Sequence, residues 1–147
     1  MRYFLILLTA ACLMSTGCSE PNPSSSAVTV EIVETGSGYQ LLRAGEPSTV
    51  KGAGMGIDDI ERFASHGGNS IRTWSTNRQQ QDTRALLDSA HAHGVTVALG
   101  LAMAPERHGF DYDDADAVAA QLELMETEVL KYRDHPAVLI WVIGNEL

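Results

Sequence analysis

At 147 residues the chain is long enough for one domain with a modest core. Its 19 acidic residues outweigh 10 basic ones, and the resulting net charge of −9 excludes the basic footprint of a nucleic-acid binder. Both cysteines, Cys12 and Cys18, lie near the N-terminus, so the body of the chain has neither a disulfide nor a thiolate metal site.

Met1-Arg2 is a short positive start, residues 3–14 are apolar, and Ser15-Thr16-Gly17 supply small residues before Cys18. The pattern resembles a bacterial lipoprotein signal, in which cleavage leaves the cysteine as a lipid-modified N-terminus. Ser15 stands where that motif usually has leucine. An ordinary secretory signal cut nearby is the alternative; a transmembrane helix is disfavoured because the apolar stretch is too short. On the lipoprotein reading, residues 1–17 are the signal, Cys18 is lipidated, and residues 18–27 form a flexible tether rich in serine and proline. Loss of Arg2 with the signal moves the net charge from −9 to −10. The expected location is the cell envelope, with membrane contact through the lipid anchor only.

Residues 28–33 alternate partly and predict a half-exposed strand, followed by a turn over residues 34–38 and a second strand over residues 39–43. Ala44-Gly45-Glu46-Pro47 reads as a turn and residues 48–54 as a third strand. From there helices and strands alternate. Asp58 is the expected N-cap of a helix that buries Ile60, Phe63 and Ala64 and stops at Gly67-Gly68. Residues 69–74 predict a strand, and a polar loop over residues 76–81 leads into a helix with Thr83, Leu86, Leu87 and Ala90 on its inner face, ended by Gly94. Residues 95–101 form the next strand, followed by a long loop over residues 102–112. Asp113 and Asp114 open a helix whose Val118, Leu122, Met125, Val129 and Tyr132 recur at helical spacing. Asp134-His135-Pro136 breaks it, and residues 137–143 are an unbroken apolar strand.

The alternation β-α-β-α-β-α-β implies a parallel sheet. Gly52-Ala53-Gly54-Met55-Gly56 hints at a dinucleotide fingerprint, but the third required glycine falls on Ile57, so the motif fails. Polar residues gather at the carboxyl ends of the strands, which favours a (β/α)₈ barrel over a doubly wound sheet. A full barrel needs about 250 residues. The expectation is therefore an α/β fold equal to the first four βα units of a barrel over residues 28–147, with a short β-hairpin in front, as part of a longer protein.

The chemistry-bearing residues fall at those strand ends. Glu146 follows a hydrophobic strand, where a carboxylate is costly unless it is used. Asn145 offers a donor and an acceptor to a sugar hydroxyl, or else forms a turn. Arg72, inside a strand, calls for a carboxylate partner, in a site or in a structural ion pair. Trp74 at the rim offers an aromatic face to a sugar ring or simply packs. His108, in the loop after the third of these strands, is a candidate substrate ligand or a structural histidine. His91 and His93 diverge on their helix and share no metal.

Two stretches, Gly68-Asn69-Ser70-Ile71-Arg72-Thr73-Trp74 and His135-Pro136 through Gly144-Asn145-Glu146, resemble the retaining glycoside hydrolases built on (β/α)₈ barrels. The wording is most similar to the TIM-barrel domain of glycoside hydrolase family 2, over about Tyr39 to Leu147. The resemblance implies that Glu146 is the general acid/base, that Asn145 binds the sugar 2-hydroxyl, and that Arg72 supports the nucleophile. The nucleophile itself is a glutamate after the seventh strand, which this sequence does not include. Family 2 enzymes usually carry a β-sandwich ahead of the barrel; here only about 20 residues separate tether and barrel-like part. The implied activity is hydrolysis of an oligo- or polysaccharide without a cofactor, and the chain by itself is expected to be inactive. The rival expectation is a non-catalytic surface lipoprotein that binds glycans through a degenerate barrel.

Overall fold

The computed structural model describes residues 26–76 and 82–145. The signal, Cys18 and most of the tether lie outside that range, as does Glu146. Among the described residues there are seven strands, in two sheets, and three α-helices.

The first sheet is antiparallel. β1 (Val30–Thr35) pairs with β2 (Gly38–Arg43), and β2 pairs with the two-residue β3 (Glu46–Pro47). The expected hairpin is thus a three-stranded meander, and the stretch read as a turn contributes its last strand. The expected single strand over residues 48–54 does not form. Glu46–Pro47 stays with the first sheet, while β4 (Gly52–Gly54) opens the second. Lys51 and Thr49 between them bond to Asn69 instead: Lys51 N–H donates to its Oδ1 at 2.7 Å, and its Nδ2 donates to the Thr49 carbonyl at 2.8 Å.

The second sheet is parallel, in the order β4, β5 (Ser70–Arg72), β6 (Thr96–Leu101), β7 (Val138–Ile143). Helices α1 (Ile60–Ser65), α2 (Thr83–Ala92) and α3 (Ala115–Tyr132) make the crossovers. All three contribute to one core: Ile60, Leu86, Leu87, Ala90 and Tyr132 pack with Ile71, Val97, Leu99 and Val138 of the sheet and with Ala137 just before β7. Helices that share a core lie on one side, so each crossover winds in the same sense. A doubly wound sheet reverses its order and covers both faces. Here the order is sequential, and the face opposite the core carries Arg72, Trp74 and Ile140, all exposed.

Local chemistry sets the helix ends. Asp82 accepts from the N–H groups of Arg84 and Ala85, and Asp114 from those of Asp116 and Ala117. Gly94 ends α2 at φ 69°, with Val95 N–H returning to the Ala90 carbonyl. For α1 the expected cap is displaced by one residue. Asp59, at φ 67°, holds the N-cap position without a side-chain cap bond, and its carboxylate pairs instead with Arg62 at 3.3 Å. In α3 Leu122 departs from the expected inner face and is 64% exposed.

At the amino end of β7, buried His135 accepts the Ala137 N–H on Nδ1 and holds Asp88 of α2 through Nε2 at 3.0 Å. Arg43 of β2 donates to the Pro136 carbonyl at 2.9 Å. The antiparallel sheet therefore sits by the amino end of β7, and the carboxyl ends of the parallel strands remain open.

Candidate active site

Across the exposed face, strand register aligns Gly54, Arg72, Ala98 and Ile140 in one row. Arg72 lies two strands from β7, a distance of roughly 10 Å. Its Nη2 nevertheless donates to Asn145 Oδ1, just beyond the end of β7, at 2.9 Å. Asn145 is brought into reach by Gly144, whose φ of 69° turns the chain at the end of β7 while its N–H bonds the Leu101 carbonyl. Because a guanidinium only donates, the amide oxygen of Asn145 must face Arg72, and its NH₂ is the end left to meet a ligand.

The expected carboxylate partner of Arg72 is not found among the described residues; an amide takes that place. Glu146 is the next residue along the chain from Asn145 and lies outside the described residues.

Trp74 is 39% exposed, with its ring edge against Gly54: a Cβ at Gly54 would come within 3.2 Å of Cη2 and Cζ2. Its backbone crosses Gly100 still more closely, 2.4 Å from where a Cβ would stand. Thr73 completes that crossing, its Oγ1 accepting the Gly100 N–H at 3.0 Å. The sequence reading missed Gly100, although a glycine inside an apolar strand signals such an approach.

His108 is not brought to this cluster. It ends a single 3₁₀ turn (Glu106–His108), is exposed, and among the described residues makes no side-chain bond to Arg72 or Asn145. The loop that carries it is well anchored: Ala104 donates to Gln121 Oε1 at 2.6 Å and accepts from Tyr112 at 2.7 Å, while Phe110 and Tyr112 meet edge-to-face at 4.7 Å.

One titratable pair near the strand ends escaped the sequence reading. Glu128 on α3 accepts hydrogen bonds from Thr76, after β5, and from Lys131. Burial pushes its carboxyl up, but the Lys131 and Thr76 bonds outweigh it and hold the group below the ordinary 4.5. The bond that Lys131 donates to Glu128 raises the lysine in turn. The Glu128–Lys131 pair is three apart on one helix and was open to reading, whereas no local pattern points to Thr76, 52 residues away. Among the described residues no group of three His, Cys, Asp or Glu could hold a metal ion.

Residues 56–147 match the family described as glycosyl hydrolases family 2, TIM barrel domain. The chain belongs to this family. The match begins just after β4 and takes in every residue of the Arg72–Asn145 cluster. No curated protein matches the chain. Membership in the family 2 domain gives the parallel sheet its parent architecture, a TIM barrel, and suggests glycoside hydrolase activity in general terms.

Proposed function

We propose that this chain supplies the first four strands, with the three helices between them, of a (β/α)₈ barrel, and the proton-handling half of the catalytic pair, of a retaining glycoside hydrolase. The observation that carries the reading is the Arg72–Asn145 hydrogen bond, made across β6 at the carboxyl ends of the strands, where barrel enzymes place their chemistry. Glu146 follows Asn145 directly, so the backbone that positions the amide also delivers the carboxylate.

In this mechanism Glu146, protonated, donates to the glycosidic oxygen while a second glutamate, outside this sequence, attacks the anomeric carbon. Glu146 then removes a proton from the water that releases the sugar. Retention needs the two carboxyls about 5–5.5 Å apart. Asn145 donates through its NH₂ to a sugar hydroxyl, with its oxygen tied to Arg72. Trp74 offers its exposed indole to the sugar ring, and His108 contributes to substrate binding from the loop after β6. The substrate is an oligo- or polysaccharide.

The test is Glu146→Gln in the intact protein. Turnover of alkyl glycosides is expected to fall about 10²–10⁴-fold. An aryl glycoside whose phenolate departs without protonation should keep much of its bond-cleavage rate. Equal loss on both substrates, or a first-formed product of inverted anomeric configuration, would remove the acid/base role or the retaining mechanism respectively. A wild type that binds glycans yet cleaves none would leave the non-catalytic alternative.

At the N-terminus we propose that Cys18 carries the lipid that holds the enzyme in the cell envelope. Among the described residues no helix is long and apolar enough to cross a membrane. Incorporation of labelled palmitate should be lost in Cys18→Ser; labelling that persists in the variant rejects the anchor.

A further inference from the structure

The segment that carries Trp74 is fixed at three points. Gly100 sits under its backbone, with Thr73 bonded to the Gly100 N–H, and Gly54 lies against its ring. The third point is two residues further on, where Thr76 donates to Glu128 of α3. Both residues line a cavity of about 570 Å³ between α3 and the loops at the strand ends, with an otherwise mainly apolar wall that includes Leu101, Met103, Phe110 and Met125. A carboxylate there is expensive to bury, and an aliphatic side chain would pack that wall better. Glu128 is only 20% exposed at its side chain and is charge-paired on the helix side with Lys131. It also accepts a hydrogen bond from Thr76, which lines the same cavity.

We infer that Glu128 is a positioning residue: by holding Thr76 it fixes where the Trp74 indole stands, and so how tightly the sugar ring is bound. This deepens the proposed glycosidase reading and rests on it for the sugar, while the mechanical part stands on the structure alone. Packing by itself would need no acceptor at position 128. A positioning role needs an acceptor but not necessarily a charge.

Three variants of the intact protein separate these roles: Thr76→Val, Glu128→Ala and Glu128→Gln. Thr76→Val and Glu128→Ala are each expected to raise KM for a glycoside about tenfold, the cost of one hydrogen bond to a charged group, with kcat within about twofold. The double variant should be no worse than either single one, because both remove the same bond. Glu128→Gln keeps an acceptor for Thr76 and should stay close to wild type.

Amide hydrogen exchange over residues 73–76 reads the same link without any substrate and should accelerate in Thr76→Val and Glu128→Ala but not in Glu128→Gln. Unchanged exchange in Glu128→Ala overturns the inference whatever the activity. Accelerated exchange with unchanged KM also overturns it, since the segment would then be held for no effect on binding. A wild type that turns over no glycoside would reject the enzyme reading, and the exchange result would still decide whether Glu128 holds the Trp74 segment.

Discussion

At the scale of single residues, the site turns on one hydrogen bond that fixes the sense of an amide. Arg72 Nη2 meets Asn145 Oδ1 at 2.9 Å, and this commits Asn145 to present donors. An aspartate at position 145 would keep the bond and strengthen it, yet present no N–H to a sugar hydroxyl. A lysine at position 72 has a point charge in place of the guanidinium fork and is not a conservative replacement. The coupling is measurable. Arg72→Ala and Asn145→Ala should each lower kcat/KM by about 10–100-fold, and the double variant should lose much less than the product of the two, with a coupling of about 1 kcal/mol. Strict additivity would show that the two side chains act separately. The sequence placed Asn145 after the last apolar strand but Arg72 inside a strand over residues 69–74, which the structure shortens to Ser70–Arg72. That Arg72 meets Asn145 was not legible, because an isolated strand gives no hint of which residue, two strands away, lies within reach. Gly100 went unremarked, although it is a glycine in an apolar run; that its neighbour is the backbone of Trp74 follows only from the register of β5 on β6.

At the scale of elements, what could be read depended on whether the determining contacts were local. Helix α2 was legible in its buried face, Thr83, Leu86, Leu87 and Ala90, and in its end at Gly94; its Asp82 cap, a local signal of the same kind, was passed over. Each of those signals acts within a few residues. The stretch over residues 46–54 was misread because two sheets compete for it. Pro47 pairs with Leu42 in one sheet and Gly52 with Ser70 in the other, so an extended chain is a strand twice and a connector between. Extended conformation is a local preference, whereas partner choice is set by contacts distant in sequence. The α1 cap shows the same limit at smaller size. Asp58 and Asp59 are equal candidates by composition, and the chain seats Asp59 at the cap in a left-handed conformation, where its carboxylate turns to Arg62 rather than to the helix amides. Helix α3 was legible in register but not in burial. Val118, Met125 and Val129 are half-buried and Tyr132 is buried, whereas Leu122 is 64% exposed.

At the scale of the whole molecule, apolar surface is concentrated where neighbouring βα units of a barrel would pack. Leu122, Leu124 and Leu130 on α3 are 64%, 69% and 53% exposed, and Ile140 and Ile143 on β7 are 45% and 62% exposed. Among the described residues β7 pairs only with β6, so its outer edge offers unpaired backbone groups beside exposed isoleucines. Such an edge is a template for association with another chain. If these four strands are the first half of a barrel, that surface is internal in the intact protein, where each large aliphatic side chain contributes about 1.5–3 kcal/mol by burial. The two settings then respond oppositely to the same change. Leu130→Lys with Ile143→Lys should make residues 26–147, produced alone, more monomeric and less able to bind an apolar dye. In the intact protein the same pair should lower the unfolding free energy by several kcal/mol, about the sum of the two burial contributions. Light scattering and dye binding read the first effect, and denaturant unfolding reads the second. Should residues 26–147 be monomeric without the substitutions, and the intact protein indifferent to them, the exposed face of α3 and the edge of β7 are solvent surface and the half-barrel reading is wrong.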